Sequence, residues 1–203
     1  MPFFSRHLFY AVTIALGASL CGQLTGFYSP TKKGIERAWG LSNFQSLLFN
    51  VIGLYTAAIG GFVAKILLQF MSRKSVLVVT QLLQIISWIG IAFTKKSLYW
   101  IAFIMRSIQG INTGITSGLC SMYIIEISPP EYRGAYGSFS QLFICIGGSY
   151  SFLLGMFCEW KLLTLLSVIP QVVNLILIWF VPDSEVRESD TAQRESIFQR
   201  KYS

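Results

Sequence analysis

The chain has 203 residues, 53% of them hydrophobic and only 12% charged, with a mean hydropathy of +0.58. Soluble domains carry about 25% charged residues, so this composition excludes an ordinary water-soluble globule and implies a polytopic all-α membrane protein. The net charge of +7 does not mark a nucleic-acid binder, because the basic residues are scattered through short loops without an aromatic-interleaved patch.

Six apolar runs follow one another, at about residues 8–28, 44–69, 75–94, 97–126, 135–158 and 161–182. Each reaches the roughly 20 residues that a bilayer core requires. Residues 1–182 therefore read as one amino-terminal bundle of six transmembrane helices, with both termini on the same side. The first run follows Arg6 as a secretory signal would, but it is too long for one and continues into Gln23 and Thr25. Residues 29–43, opened by Ser29-Pro30, read as the only sizeable loop on the other side. The turn Met71–Lys74 is so short that the second and third spans must be antiparallel neighbours. From Asp183 to Ser203 the chain turns polar and reads as a cytoplasmic tail. Flanking basic residues number eight on the side of the termini against six opposite, a weak positive-inside bias toward cytoplasmic termini.

Small residues mark close helix contacts: Gly53, Ala57, Gly60 and Gly61 on the second span, Gly110, Gly114 and Gly118 on the fourth, and Gly17, Cys21 and Gly22 on the first. Cys21, Cys120, Cys145 and Cys158 all lie in or beside spans and read as small hydrophobes instead of a disulfide framework. A single histidine, His7, and the absence of any nucleophile or metal-ligand grouping leave nothing for an enzyme, a cofactor or a metal.

The most informative stretch runs from Met122 to Gln141. Glu126 and Arg133 stand seven residues apart across Pro129-Pro130, with apolar runs on both sides. A charge at the bilayer centre is costly, so such a cluster belongs at the membrane surface between two spans. Gln141 lies eight residues beyond Arg133, about 12 Å deeper along a helix. A lone amide at that depth points to a cavity, and helical spacing places Gly137, Ser138, Ile144, Cys145 and Gly148 on its face. An amide offers donors and acceptors to hydroxyl groups without attracting ions. For Gln23, Asn50, Asn112, Gln171 and Asn174, interhelical glue and cavity lining remain equally open.

These residues resemble the sugar-porter branch of the major facilitator superfamily, in particular facilitated glucose transporters. Gly22, Thr25 and Gly26 are similar to the family's first-span thread. Ser72-Arg73-Lys74 is similar to its turn between spans two and three, and Arg106 with Gly110 and Gly114 to its entry into span four. Met122-Tyr123, Glu126, Ser128-Pro129, Arg133-Gly134 and Gln141 follow its Tyr-x-x-Glu-x-Ser-Pro…Arg-Gly…Gln signature, and Pro182-Asp183-Ser184 echoes its exit from span six. Gln69 and Ser72 depart from the pattern and are expected to weaken that turn's usual helix-end contacts.

The resemblance implies one half of a twelve-helix fold, ending at the start of the central loop, in the plasma membrane. It implies a sugar contact at Gln141, with Ile144, Cys145 and Thr25 lining the site. It also implies a cytoplasmic gate in which Arg73, Lys74, Arg106, Glu126, Arg133 and Gly134 collect, with Glu126 and Arg133 as a pair. Leu24 stands where proton-coupled relatives carry aspartate, and no span holds a carboxylate near mid-membrane. Facilitative uniport of a hexose or similar sugar is therefore expected, within a lipid bilayer and with no cofactor. A facilitator of polyols or other small solutes is a second reading. The length leaves open a piece of a full transporter, a half that pairs with its own copy or another chain, and a non-transporting partner that regulates a complete transporter.

Overall fold

The computed structural model describes residues 2–128 and 132–181, with side chains described from residue 8 onward. Seven helices follow in order: α1 (Pro2–Trp39), α2 (Asn43–Phe70), α3 (Arg73–Phe93), α4 (Tyr99–Ile127), α5 (Arg133–Phe157), α6 (Trp160–Leu166) and α7 (Val168–Leu177). Short 3-10 turns at Lys96–Leu98 and Ile178–Phe180 lead into α4 and end the sixth segment. Pro129, Pro130, Pro182-Asp183-Ser184 and the polar segment to Ser203 lie outside the described residues.

The molecule is an all-α bundle of six membrane-spanning segments, the last divided into α6 and α7. Five segments are long and apolar enough to cross a membrane by length and composition: Leu8–Trp39, Asn43–Phe70, Arg73–Phe93, Arg133–Phe157 and Trp160–Phe180. The sixth, α4, has the length at 29 residues. Its lower hydropathy comes from a polar stripe, Arg106, Gln109, Asn112, Thr113 and Thr116, all buried inside the bundle.

Two backbone crossings organise the packing. At the α1–α5 crossing, Gly22 meets the backbone of Ile144 and Gly148, and Gly147 meets the backbone of Ser19. At the α2–α4 crossing, Gly110 meets Gly53, Gly114 meets Ala57, and Gly60 meets Ile111. A side chain at any of these points would hold the backbones apart, which is the physical use of small residues where lipid offers no hydrophobic drive. Of the glycines read as packing residues, Gly61 and Gly118 have nothing within 4 Å of the point where a Cβ would stand and serve no such crossing.

The expected loop at 29–43 is instead mostly helix: α1 runs through Pro30 and two lysines to Trp39. Buried Ile35 and Trp39 bind this extension into an aromatic cluster with Phe27, Phe49, Trp88 and Phe103. Tertiary burial there overrides the breaker signal of Ser-Pro, and Trp39 donates its indole N–H to the Thr94 carbonyl (3.2 Å). Gly40, at φ +69°, stops the helix in the left-handed conformation that favours glycine. Ser42 then caps α2 in a reciprocal box, the Gln45 amide donating to Ser42 Oγ (3.3 Å) and the Ser42 amide to Gln45 Oε1 (3.0 Å). Ser72 likewise caps α3, accepting from the Ser75 amide (3.3 Å). The departure expected to weaken that turn thus supplies a contact of its own.

The sixth span is interrupted at Ser167, three residues before Pro170. A proline has no N–H, so Pro170 frees the Leu166 carbonyl one turn back. Tyr150 on α5 donates its hydroxyl to that carbonyl at 2.9 Å. Tyr150→Phe should lower the thermal unfolding midpoint in detergent by roughly 2–4 °C, the loss of one hydrogen bond of about 1 kcal/mol. An unchanged midpoint would show that the carbonyl finds another partner.

Candidate functional site

At one end of the bundle the start of α3 meets the ends of α4 and of the sixth span. Arg73 Nη2 and Glu126 Oε1 form an ion pair at 2.5 Å, with the side chains only 17% and 24% exposed. Partial desolvation strengthens such a pair while making either partner costly to leave alone. Arg73 Nη1 and Glu126 Oε2 are buried with no partner in the described structure. Lys74 does not join this pair. Its ammonium donates to the Trp179 and Val181 carbonyls (3.0 and 2.7 Å), capping the end of the sixth span where cations favour the helix dipole.

This arrangement corrects the expected network in two places. Among the described residues Glu126 pairs with Arg73, whereas Arg133 and the neighbouring Gly134 are exposed. Arg106 lies on α4 twenty residues before Glu126, about 30 Å along the axis, and belongs to the opposite half of the bundle. There it is fully buried beside Phe27 and Phe49, part of the aromatic end. Helix direction explains the shift: α4 enters from the far side, so its early residues cannot reach the end that Glu126 occupies.

The second group surrounds the α1–α5 crossing. Thr25, Gln141 and Cys145 are exposed on these two helices, and Gln141 and Cys145 stand one turn apart on the same face. The Thr25 hydroxyl bonds back to the Cys21 and Gly22 carbonyls (3.1 and 3.0 Å), which satisfies it within an apolar helix. Ile144 is half-buried, its backbone against Gly22, so it sits in the seam beside the face that presents Gln141. Gly148 turns to the same seam. The other cysteines are free, Cys120 buried and Cys21 and Cys158 half-buried.

Of the other amides noted in the sequence, Gln23, Asn112, Gln171 and Asn174 are buried inside the bundle, whereas Asn50 is half-buried. Gln171 donates to Gln23 Oε1 (2.8 Å), and Asn174 donates to the Thr13 carbonyl (2.8 Å), so both join α7 to α1. Thr80, Gln81 and Gln84 on α3 and Gln109 on α4 are also buried, beyond the amides that the sequence reading names. Their signal was present as polar residues recurring every third or fourth position within apolar spans.

A family model described as "Sugar (and other) transporter" matches residues 9–201. The chain belongs to the sugar (and other) transporter family. Among curated members of the family, "Sugar transporter ERD6-like 15" of Arabidopsis thaliana is 34% identical over 168 residues, covering 83% of this chain and 35% of the relative. "Sugar transporter ERD6-like 6" of the same plant is 30% identical over 171 residues, covering 84% of this chain and 35% of the relative. Among solved structures, the proton:xylose symporter XylE bound to 6-bromo-6-deoxy-D-glucose superposes with a TM-score of 0.81 at 23% identity. That match covers 96% of this chain and 49% of XylE. The inward-open xylose transporter XylE from E. coli gives 0.76 at 25% identity, over 90% of this chain and 49% of that one. The chain therefore spans about a third of its curated relatives and about half of the solved transporters. Its fold is one half of the twelve-helix major facilitator fold, and the family is one of transporters, not enzymes.

Proposed function

We propose that this chain is the amino-terminal half of a facilitative sugar transporter, moving a hexose or similar sugar by alternating access. The observation that carries this reading is the polar face at the α1–α5 crossing. Gln141 is exposed there on a span whose other exposed residues include Leu142, Ile146, Phe152 and Leu153. A carboxamide presented from such a helix suits a neutral polyhydroxylated solute, with Thr25 and Cys145 on the same two helices and Ile144 at the seam. The complete site would lie between this bundle and a second six-helix half, in its own copy or another chain.

Uniport is favoured over proton coupling because the described carboxylates Glu36, Glu126 and Glu159 stand at helix ends, and Leu24 is apolar. The Arg73–Glu126 pair supplies the charge lock of a cytoplasmic gate, since a partly desolvated pair is sensitive to the tilt of the helices that carry it. The termini then lie in the cytoplasm and the carrier in the plasma membrane.

Uptake of labelled hexose into transporter-deficient cells tests the proposal, with the chain alone and with a supplied second half. Uptake in either arm is expected. None in both, at normal surface expression, would overturn transport and favour a partner that regulates a complete carrier. Gln141→Leu should cut uptake roughly threefold to tenfold without altering expression, the loss of one hydrogen bond to the solute. Undiminished uptake would remove Gln141 from the site.

A further inference from the structure

Arg106 is fully buried, yet among the described residues the ion pairs are Lys32–Glu36 and Arg73–Glu126, so no carboxylate neutralises it. Its Nη2 donates to the Leu24 carbonyl (2.7 Å) and its Nη1 to Gln109 Oε1 (3.2 Å). The rings of Phe27 and Phe49 lie 5.7 and 5.3 Å from its guanidinium carbon. These neighbours are all neutral. Taking a full charge out of water costs more than two aromatic faces and two neutral acceptors return.

From Arg106 to Asn112 on α4 the buried, unpartnered side-chain atoms are donors. Arg106 Nε has no partner, and it faces Gly53, where a Cβ would approach it to 3.3 Å. Gln109 Nε2 has none either, while its carboxamide oxygen accepts from the guanidinium. One turn further along α4, Asn112 Nδ2 is also buried and unpartnered. A buried water needs both donors and acceptors around it. A whole positive charge with surplus N–H groups matches an anion.

We propose that a small inorganic anion, chloride being the abundant case, binds beside Arg106 within the six-helix bundle and stabilises the packing of α1, α2 and α4. The site is separate from the face that carries Gln141 and holds whether or not the chain transports sugar.

Thermal unfolding of the full chain in detergent tests the site, with sodium gluconate replaced stepwise by sodium chloride or bromide at constant ionic strength. The midpoint should rise by about 2–4 °C once halide stands at about five times its dissociation constant, and then level off. Arg106→Met should abolish the halide shift. Leu24→Asp should abolish it too, by placing a carboxylate on the residue whose carbonyl already meets the guanidinium. Lys96→Met, which removes an exposed cation, should leave it intact. A wild-type midpoint indifferent to halide would overturn the proposal, as would a shift of undiminished size in Leu24→Asp. If Arg106→Met does not fold, the wild-type series and Leu24→Asp decide alone.

Discussion

Gly147→Leu should keep the bundle from assembling. A Cβ at Gly147 would fall on the Ser19 carbonyl, and the neighbouring Gly22 is in the same relation to Ile144 across the seam. The obstructing atoms are backbone, so no rotamer change can relieve the clash and the two helices must separate. Overpacking a yielding core costs about 1–3 kcal/mol, and here the loss should reach or exceed the top of that range. Size-exclusion profile and unfolding midpoint in detergent read the effect. Gly118→Leu is the matched control on α4, because nothing lies within 4 Å of its Cβ position, and it should leave both nearly unchanged. Equal behaviour of the two variants would refute the crossing as the element that holds α1 to α5.

Glu126→Gln should destabilise the protein by about 2 kcal/mol, because it leaves the partly buried Arg73 without its counter-charge. The informative measurement is a pair of double-mutant cycles. Combining Glu126→Gln with Arg73→Met should show a coupling of about 1–2 kcal/mol, whereas combining it with Arg133→Met should show little. The motif in the sequence sets Glu126 and Arg133 side by side, but exposure of Arg133 and the 2.5 Å contact to Arg73 assign the partner differently. Strong coupling to Arg133 instead would restore the pairing expected from the sequence.

The spans were legible because bilayer thickness imposes a run length that soluble folds do not share. Gln141 stands out in the sequence because an amide in the middle of an apolar run has few bland explanations, and in the structure it is exposed on α5. What escaped depended on packing. Ser29-Pro30 and Lys32-Lys33 carry every local mark of a loop, yet Ile35 and Trp39 are buried and draw α1 onward to residue 39. On α5, Gly147-Gly148 lacks the four-residue spacing that marks α4, so the sequence places Gly148 on the Gln141 face and gives no sign of Gly147 as a crossing point. Arg106 was misplaced because a motif gives neighbours in sequence, while the end of the membrane a residue occupies depends on the direction in which its helix runs.

The carboxamides that join α7 to α1 have a mechanical consequence. Hydrocarbon chains can replace a leucine's contacts but can neither donate nor accept a hydrogen bond. Shearing the last helix off the first would strand Gln23, Gln171 and Asn174 in oil. Sliding within the bundle is thereby penalised far more than turning it whole, so these helices should travel through any rocking motion as one stiff block.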